Sequence, residues 1–375
     1  MVSGFNLTLM IGPVVPVPVS QDVLDALTSV SVTINSDSVS VFQLEFTLSN
    51  RSPLQTIFLL AGGASIPLVR VVIIVTVGGA AEVLMDGVMT NHEIRPGSDA
   101  SHSVLTITGE DLSKVMDYFD FSGIPYPAMP NEARVALIVA KYAFLGIIPL
   151  VIPSVLIDIP IPTERIPEQK GKDLAYVKAL ADEVGYVFYI EPGPEPGMSI
   201  AYWGPEIKVG VPQKALSINM DAATNIESVS CSFNSQSRVI PYVLVQIPQT
   251  HVSIPIPIPD ITPLNPPLGL ISPIPLNFEP VENSAKYSPI RAAVIGLTKA
   301  ARTSEAASAS GSLNVVRYGA VLKARRLVGL RGVGEAFDGL YYVKSVTSKI
   351  KRGEFKQDFT LTRNGLLSTL PQVPV

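Results

Sequence analysis

Three groups of residues in this chain have the types that chemistry needs. Carboxylate pairs stand at Glu110/Asp111, Asp117/Asp120 and Asp182/Glu183. A glycoside hydrolase requires two such groups across a cleft, one protonated as general acid and one ionised as base or nucleophile. Carboxylates this close in sequence also serve helix starts and water-facing surfaces, and that reading covers all three pairs. A glycine-rich run, Gly329-Leu-Arg-Gly332-Val-Gly334, lies among Arg325, Arg326 and Arg331 and has the composition of a phosphate cradle. A cradle needs a following helix whose first amides hold the anion, and a strand is expected here instead, so the run reads as a β-turn. The single cysteine, Cys231, excludes an intrachain disulfide and is expected to be a small buried residue of a strand over Ser228 to Phe233. His92, His102 and His251 lack ligand spacing. No nucleophile elbow, Walker A loop, His-Glu-x-x-His or Cys-x-x-Cys is present. Trp203 is the lone tryptophan, which weakens carbohydrate or single-strand stacking. The expectation is a chain with no catalytic, cofactor or metal site.

Composition explains what such a chain could be instead. It has 375 residues, 47% hydrophobic and only 16% charged. That length suffices for two or three cores, and so little charge leaves apolar surface to meet another chain. Net charge is −4, yet Lys286 to Arg363 carries fifteen basic against five acidic residues. Nucleic acid, an acidic partner or the acidic half of a neighbouring subunit could face that basic end, and the last is the expected one for a chain that assembles with copies of itself. Two apolar stretches, Ile57 to Val77 and Val135 to Ile159, are broken by Pro67 and Arg70 and by Lys141, Gly146, Pro149 and Pro153, so no membrane insertion is expected. The N-terminus lacks a charged region ahead of its apolar residues, which makes a cytoplasmic start the default.

The positioning elements are mostly strands. Ser29 to Ile34, Phe42 to Leu48, Val69 to Val77, Val83 to Ile94 and Ser103 to Thr108 alternate or are β-branched, with turn residues between them. Helices are expected at Leu112 to Phe119, Asn131 to Leu145 and Lys172 to Val184, the last ended by Gly185, with strands at Tyr186 to Ile190 and Ser199 to Trp203. Ile152 to Pro167 and Ile247 to Pro280 are apolar and proline-rich, the second holding Ile-Pro-Ile-Pro-Ile-Pro at Ile254 to Pro259. Repeated proline forbids a central strand or helix, so both read as extended arms laid against protein, with a disordered linker as the alternative. Ser288-Pro289 opens an expected helix to about residue 310, followed by strands at Leu313 to Tyr318 and Ala320 to Val328.

The chain closes with an expected hairpin, Gly339 to Arg363, turning at Lys351-Arg352-Gly353-Glu354. Phe355, Phe359 and Leu361 fall on one face, and Lys356, Asp358, Thr360 and Thr362 on the other. With Gly319, Gly329, Gly332 and Gly334 ahead of it, this segment resembles the C-terminal signature of the phage late control protein D family. That family comprises the baseplate hubs of contractile tails and the hub half of VgrG spike proteins. Asp86-Gly87-Val88 and Thr108-Gly109-Glu110-Asp111-Leu112 are similar to its first tube domain, and Gly171 to Gly185 to a helix of its middle domain.

The resemblance implies a β-rich α+β fold, with two antiparallel β-barrel-like tube domains at 1–112 and 221–375 and an inserted α/β domain at 113–220. The second tube domain would be interrupted by the arm at about 247–283 and the helix at about 288–310, and the arm matches nothing in the family. It also implies a homotrimeric, pseudo-hexameric ring joining a hexameric inner tube to a trimeric spike, in a particle assembled from cytoplasmic parts. Because the sequence stops at Val375 without an OB-fold, the spike is expected to be a separate chain. On this reading Phe355, Phe359 and Leu361 are core, and Lys356, Asp358, Thr360 and Thr362 face the lumen or a neighbouring ring. Phage tail or injection system, and DNA or protein as passing cargo, stay open. The competing classes are a tail-associated cell-wall hydrolase and a receptor- or glycan-binding module.

Overall fold

Alternation of apolar and polar residues builds most of this protein. The computed structural model describes residues 4–48, 68–97, 103–154, 160, 162–163, 166–246, 253–258, 265–275, 277–280, 296 and 305–369. The first strands are β1 (Phe5–Gly12), β2 (Val17–Pro18), β3 (Leu27–Asn35), β4 (Val41–Leu48), β5 (Arg70–Val77), β6 (Ala80–Arg95) and β7 (Ser103–Asp111). A middle set follows: β8 (Ile147–Val151), β9 (Val187–Pro192), β10 (Ser199–Gly204) and β11 (Gln213–Ser217). The last are β12 (Ile226–Phe233), β13 (Val239–Gln246), β14 (Ser253–Pro257), β15 (Gly269–Ile271), β16 (Asn277–Pro280), β17 (Ala307–Asn314), β18 (Leu327–Arg331), β19 (Gly339–Lys351), β20 (Glu354–Arg363) and β21 (Leu366–Ser368). Helices α1 (Gln21–Ala26), α2 (Asn131–Ala140) and α3 (Asp173–Glu183) lie among them.

Thirteen strands form one sheet in the order β12-β17-β20-β19-β3-β4-β7-β6-β5-β1-β2, with β18 and β11 beside the start of β19. The N- and C-terminal parts of the chain meet inside this sheet: Ser345 to Lys351 of β19 pair antiparallel with Asn35 to Ser29 of β3. Their inward residues make one core, in which Val30, Phe42, Phe46 and Ile73 join Val343, Val346, Phe355 and Phe359. Phe5 on β1 reaches Phe355 on β20, with ring centroids 5.5 Å apart, so the two ends of the sheet face each other across that core. A sheet of this many strands curls because each strand twists against the next.

The middle of the chain packs separately around Trp203, which is fully buried with Val135, Ile138, Val177, Leu180 and Ile190 and meets Tyr186 edge-on at 4.9 Å. Helices α2 and α3 cover a three-stranded sheet, β8-β10-β9. On α3 the stripe Tyr176, Val177, Leu180 and Ala181 is buried, and Gly185 follows with φ +71°. β11, expected within the inserted unit, instead joins the large sheet beside β18.

Several expected elements change. Helix α2 stops at Ala140, and Ala143–Leu145 is a separate 3₁₀ turn closed by Gly146 at φ +73°. The expected strand Leu313 to Tyr318 ends at Asn314, whose side chain accepts from Val316 and Arg317 N–H and caps the short helix Val315–Tyr318. Of Ala320 to Val328 only the end enters a strand, β18. The expected helix from Ser288 lies outside the described residues except for Gly296 and its last part, which is strand β17. There Ala307, Ala309 and Leu313 are buried while Ser308, Ser310 and Ser312 point the other way, a period of two that alanine's helix propensity conceals.

The described part of the second proline-rich arm contains β14, on the edge of a three-stranded sheet ordered β14-β13-β16. Proline at alternate positions makes this possible. The pairs Ile254–Val245 and Ile256–Val243 alternate with Pro255–Leu244 and Pro257–Tyr242, and Ile258 N–H donates to the Pro241 carbonyl at 2.9 Å. The residues that keep an N–H therefore face β13, and Pro255 and Pro257 turn their missing donors outward.

Candidate functional site

Cross-strand register lines polar residues into rows across one face of the shared sheet. One row runs Ser228, Ser312, Asp358, Thr347, Thr33, Val41, Glu110 from β12 to β7. The next runs Asn314, Lys356, Lys349, Ser31, Gln43, Thr108 from β17 to β7. All of these side chains are half-buried or exposed, whereas Phe355, Phe359 and Leu361 on the opposite face are buried in the core.

The polar face is dense with internal partners. Ser228 and Ser312 share a hydrogen bond of 3.0 Å, Ser232 and Ser308 one of 2.8 Å, and Thr33 and Thr347 one of 3.0 Å. Ser29 and Gln43 both donate to Glu45. Lys349 and Lys356 stand directly opposite each other, an arrangement that repels. Asp358 takes Lys349 at 2.6 Å, while Glu227 and Glu354 take Lys356 at 3.1 and 3.0 Å. Hydrogen bonds to Glu354 and Glu227 push the Lys356 ammonium above its ordinary pKa.

Lys356, Asp358 and Thr360 stand on this face, half-buried; Thr362 departs from the expectation and is buried. It lies opposite Tyr342, at the end of the face where Leu268, Leu327, Leu340 and Tyr342 pack into a small apolar cluster. Two neighbours matter that the alternation had not singled out. Gln357 shares the core parity of Phe355 and Phe359, and its amide accepts from Leu322 N–H at 2.8 Å and donates to the Leu322 carbonyl at 3.1 Å and the Ser348 hydroxyl at 3.0 Å. It takes the place of a strand partner for a segment that is not a strand. Arg363 is 2% exposed, donates to the carbonyls of Ala336 and Asp338, and stacks on Tyr341. A polar residue at an inward position of a strand is the sequence signal for both.

The glycine-rich run does form an anion cradle, but the chain supplies its own anion. The N–H groups of Gly332, Val333 and Gly334 donate to the Asp338 carboxylate at 3.1, 2.9 and 3.2 Å. Gly332 has φ +85°, and a Cβ there would lie 1.9 Å from the Ile218 carbonyl oxygen. No phosphate is needed to explain these glycines.

Two of the carboxylate pairs resolve similarly. Asp111 accepts from the N–H groups of Ser40 and Ser113, both at 2.9 Å, and caps the 3₁₀ helix Leu112–Asp117. Asp117 pairs with Lys114 and Lys172. Hydrogen bonds from Ser122 hold the Asp120 carboxyl below its ordinary pKa, the opposite of what a general acid requires. Cys231 is half-buried, not fully buried as expected, and burial pushes its thiol pKa up, away from thiolate reactivity. Among the described residues no group of three or more His, Cys, Asp and Glu side chains is placed to hold a metal, and no helix is long and apolar enough to cross a membrane. Part of the basic C-terminal charge finds acidic partners within the chain, through Lys323–Glu82, Lys344–Asp37 and Lys356–Glu227.

A buried ion pair ties the shared sheet to the middle unit. Arg70 on β5 donates from Nε and Nη2 to the two carboxylate oxygens of Asp86 on β6, at 2.7 and 2.6 Å. It also donates to the carbonyls of Val14 and Gly197 at 2.9 Å, and the Ser199 hydroxyl donates to Asp86 at 3.0 Å. Arg70 is 2% exposed and the Asp86 side chain is fully buried. Gly197 and Ser199 lead into β10 and so into the core around Trp203.

No protein-family profile and no curated protein matches the sequence. Solved structures do share the fold. A tail protein of Neisseria meningitidis superposes with a TM-score of 0.62 at 11% identity over 97% of this chain and 98% of that one. A 43 kDa prophage tail protein of Shewanella oneidensis gives 0.59 at 13% identity, covering 96% and 98%. A component of the Escherichia coli type VI secretion system, described as structurally similar to the T4 bacteriophage tail proteins gp27 and gp5, gives 0.53 at 12% identity, covering 93% and 78%. The fold is that of these tail and secretion-system proteins.

Proposed function

We propose that this chain is a structural hub of a contractile injection system or phage tail baseplate, a homotrimer whose six tube-like halves adapt a hexameric inner tube to a trimeric spike. The observation that carries this reading is the shared sheet, an extended curled wall with a continuous polar face on one side and one core on the other. It spans both ends of the chain through the β3–β19 pairing, as a wall built from two similar parts requires. The fold likeness to tail proteins extends over nearly the full length of each partner. Fold alone does not fix function, so the weight falls on what the surface does. Phe119, Phe144, Leu270, Ile274 and Phe278 are large, apolar and exposed, which suits a chain that works only among others. Lys356, Asp358 and Thr360 then line the lumen or meet the ring above.

Native mass measurement of the purified protein tests this directly. Three copies of the 40.1 kDa chain, or a particle with this protein placed between tube and spike, is the expected result. A stable monomer over the micromolar range, absent from assembled particles, would overturn the hub.

A further inference from the structure

The polar face contains lysines, yet each lysine named above is neutralised from within the face. Lys349 lies 2.6 Å from Asp358; Lys356 lies between Glu227 of β12 and Glu354 of its own strand, at 3.1 and 3.0 Å. The hydroxyls around them bond to one another across β12–β17 and β3–β19. A polyanion gains affinity for protein mainly by replacing its condensed counterions with free Lys and Arg. Lys351, exposed on the same face opposite Glu354, makes no ion pair among the described residues, so with Lys349 and Lys356 already paired the face offers a polyanion one open lysine where it could offer three. We infer that Glu227, Glu354 and Asp358 are non-adhesion residues: they keep this face from becoming a nucleic-acid-binding surface, so that cargo passing along it is not held. The inference deepens the hub reading, because a wall that gripped a passing chain would obstruct it, and it fixes the property of the wall that sequence alone left open.

Two features make the assignment specific. The carboxylates come from β12 and β20, on either side of β17, so apart from Glu354, two residues from Lys356 on the same strand, neutralisation depends on the assembled face. The opposed Lys349–Lys356 pair is unfavourable by itself and would form a compact double-positive spot once uncovered.

The test uses the full chain and a 20-base-pair DNA duplex followed by fluorescence anisotropy between 50 and 200 mM salt. The wild type is expected to show no more than the shallow salt slope of one lysine, Lys351, from this face. E227Q/E354Q/D358N is expected to bind, and two freed lysines at a slope of about 0.9 each predict about a tenfold loss of that affinity across the fourfold salt range. Adding K349Q/K356Q should abolish the gain. Wild-type binding equal to that of the triple variant overturns the inference, and so does a gain that survives loss of both lysines. If the triple variant fails to fold, D358N alone should give half the salt slope, and no slope would count against the idea. Native mass recorded on the same samples keeps the two readings apart: a trimer without the gain sinks only the non-adhesion role, and a monomer with the gain sinks only the hub.

Discussion

Replacing Arg70 with methionine leaves the Asp86 carboxyl, whose side chain is fully buried, without its cation and with the Ser199 hydroxyl as donor, and strips the Val14 and Gly197 carbonyls of a partner. Removing one member of a buried, fully bonded ion pair costs about 3–5 kcal/mol, because the remaining charge is uncompensated. With a urea slope of about 2 kcal/mol/M, the midpoint should fall by roughly 2 M. The pair also fastens β5 and β6 to the lead-in of β10, so the loss should be larger for one probe than for another. Trp203 reports the middle unit alone, as it is the only tryptophan and sits at the centre of that core. Far-UV circular dichroism reports the shared sheet. In the wild type the two transitions should coincide, and in R70M the tryptophan transition should separate to lower urea. R70M/D86L removes both charges and should recover at least about 2 kcal/mol of the single-variant loss. A cost below about 1 kcal/mol for R70M, or a double variant as unstable as the two singles added together, would refute the reasoning.

Three other outcomes follow from named contacts. Burial works against the Glu305 carboxylate, but the ammonium groups of Lys208 at 3.0 Å and Lys344 at 2.8 Å overcome it and hold its pKa below the ordinary glutamate value of 4.5. A depressed carboxylate pKa stabilises the fold above the unfolded value and ceases to do so as pH falls through the folded one, so acid unfolding should be shallower in E305Q below about pH 4.5. G332A should destabilise by several kcal/mol, on the order of 3 or more, since the left-handed backbone and the Ile218 carbonyl both reject a Cβ; thermal melting reads it, and a near-neutral result would remove the cradle geometry. F355A should cost about 3–5 kcal/mol and T360A under about 0.5, a contrast measured by the same urea titration that assigns core and wall.

Strand alternation made most of the hairpin legible, because burial on one face and water on the other leave a period of two. Phe355, Phe359, Leu361, Lys356, Asp358 and Thr360 could be sorted by parity alone. Thr362 could not, since its burial depends on Leu268 and Tyr342 arriving from distant segments. The same limit hid Arg70. In sequence it is an interruption of an apolar run, and only the fold brings Asp86, Val14 and Gly197 to it. The Gly329–Gly334 run carried the correct signal for an anion cradle, and its occupant lay four residues beyond Gly334, where a turn read residue by residue gives no carboxylate a direction. β17 was misread because Ala-Ser-Ala-Ser satisfies both periods until its partners are known.

The alternate prolines of β14 give that strand one live side and one dead side. A strand that can only receive a neighbour on one edge is a terminator: it closes the β14-β13-β16 sheet and gives a further strand no N–H groups to join from Pro255 and Pro257. The chain also holds exposed Leu270, Ile274 and Phe278, and a strand with one edge closed limits edge-to-edge growth of that sheet. The Ile-Pro repeat thus limits on which side that sheet can grow.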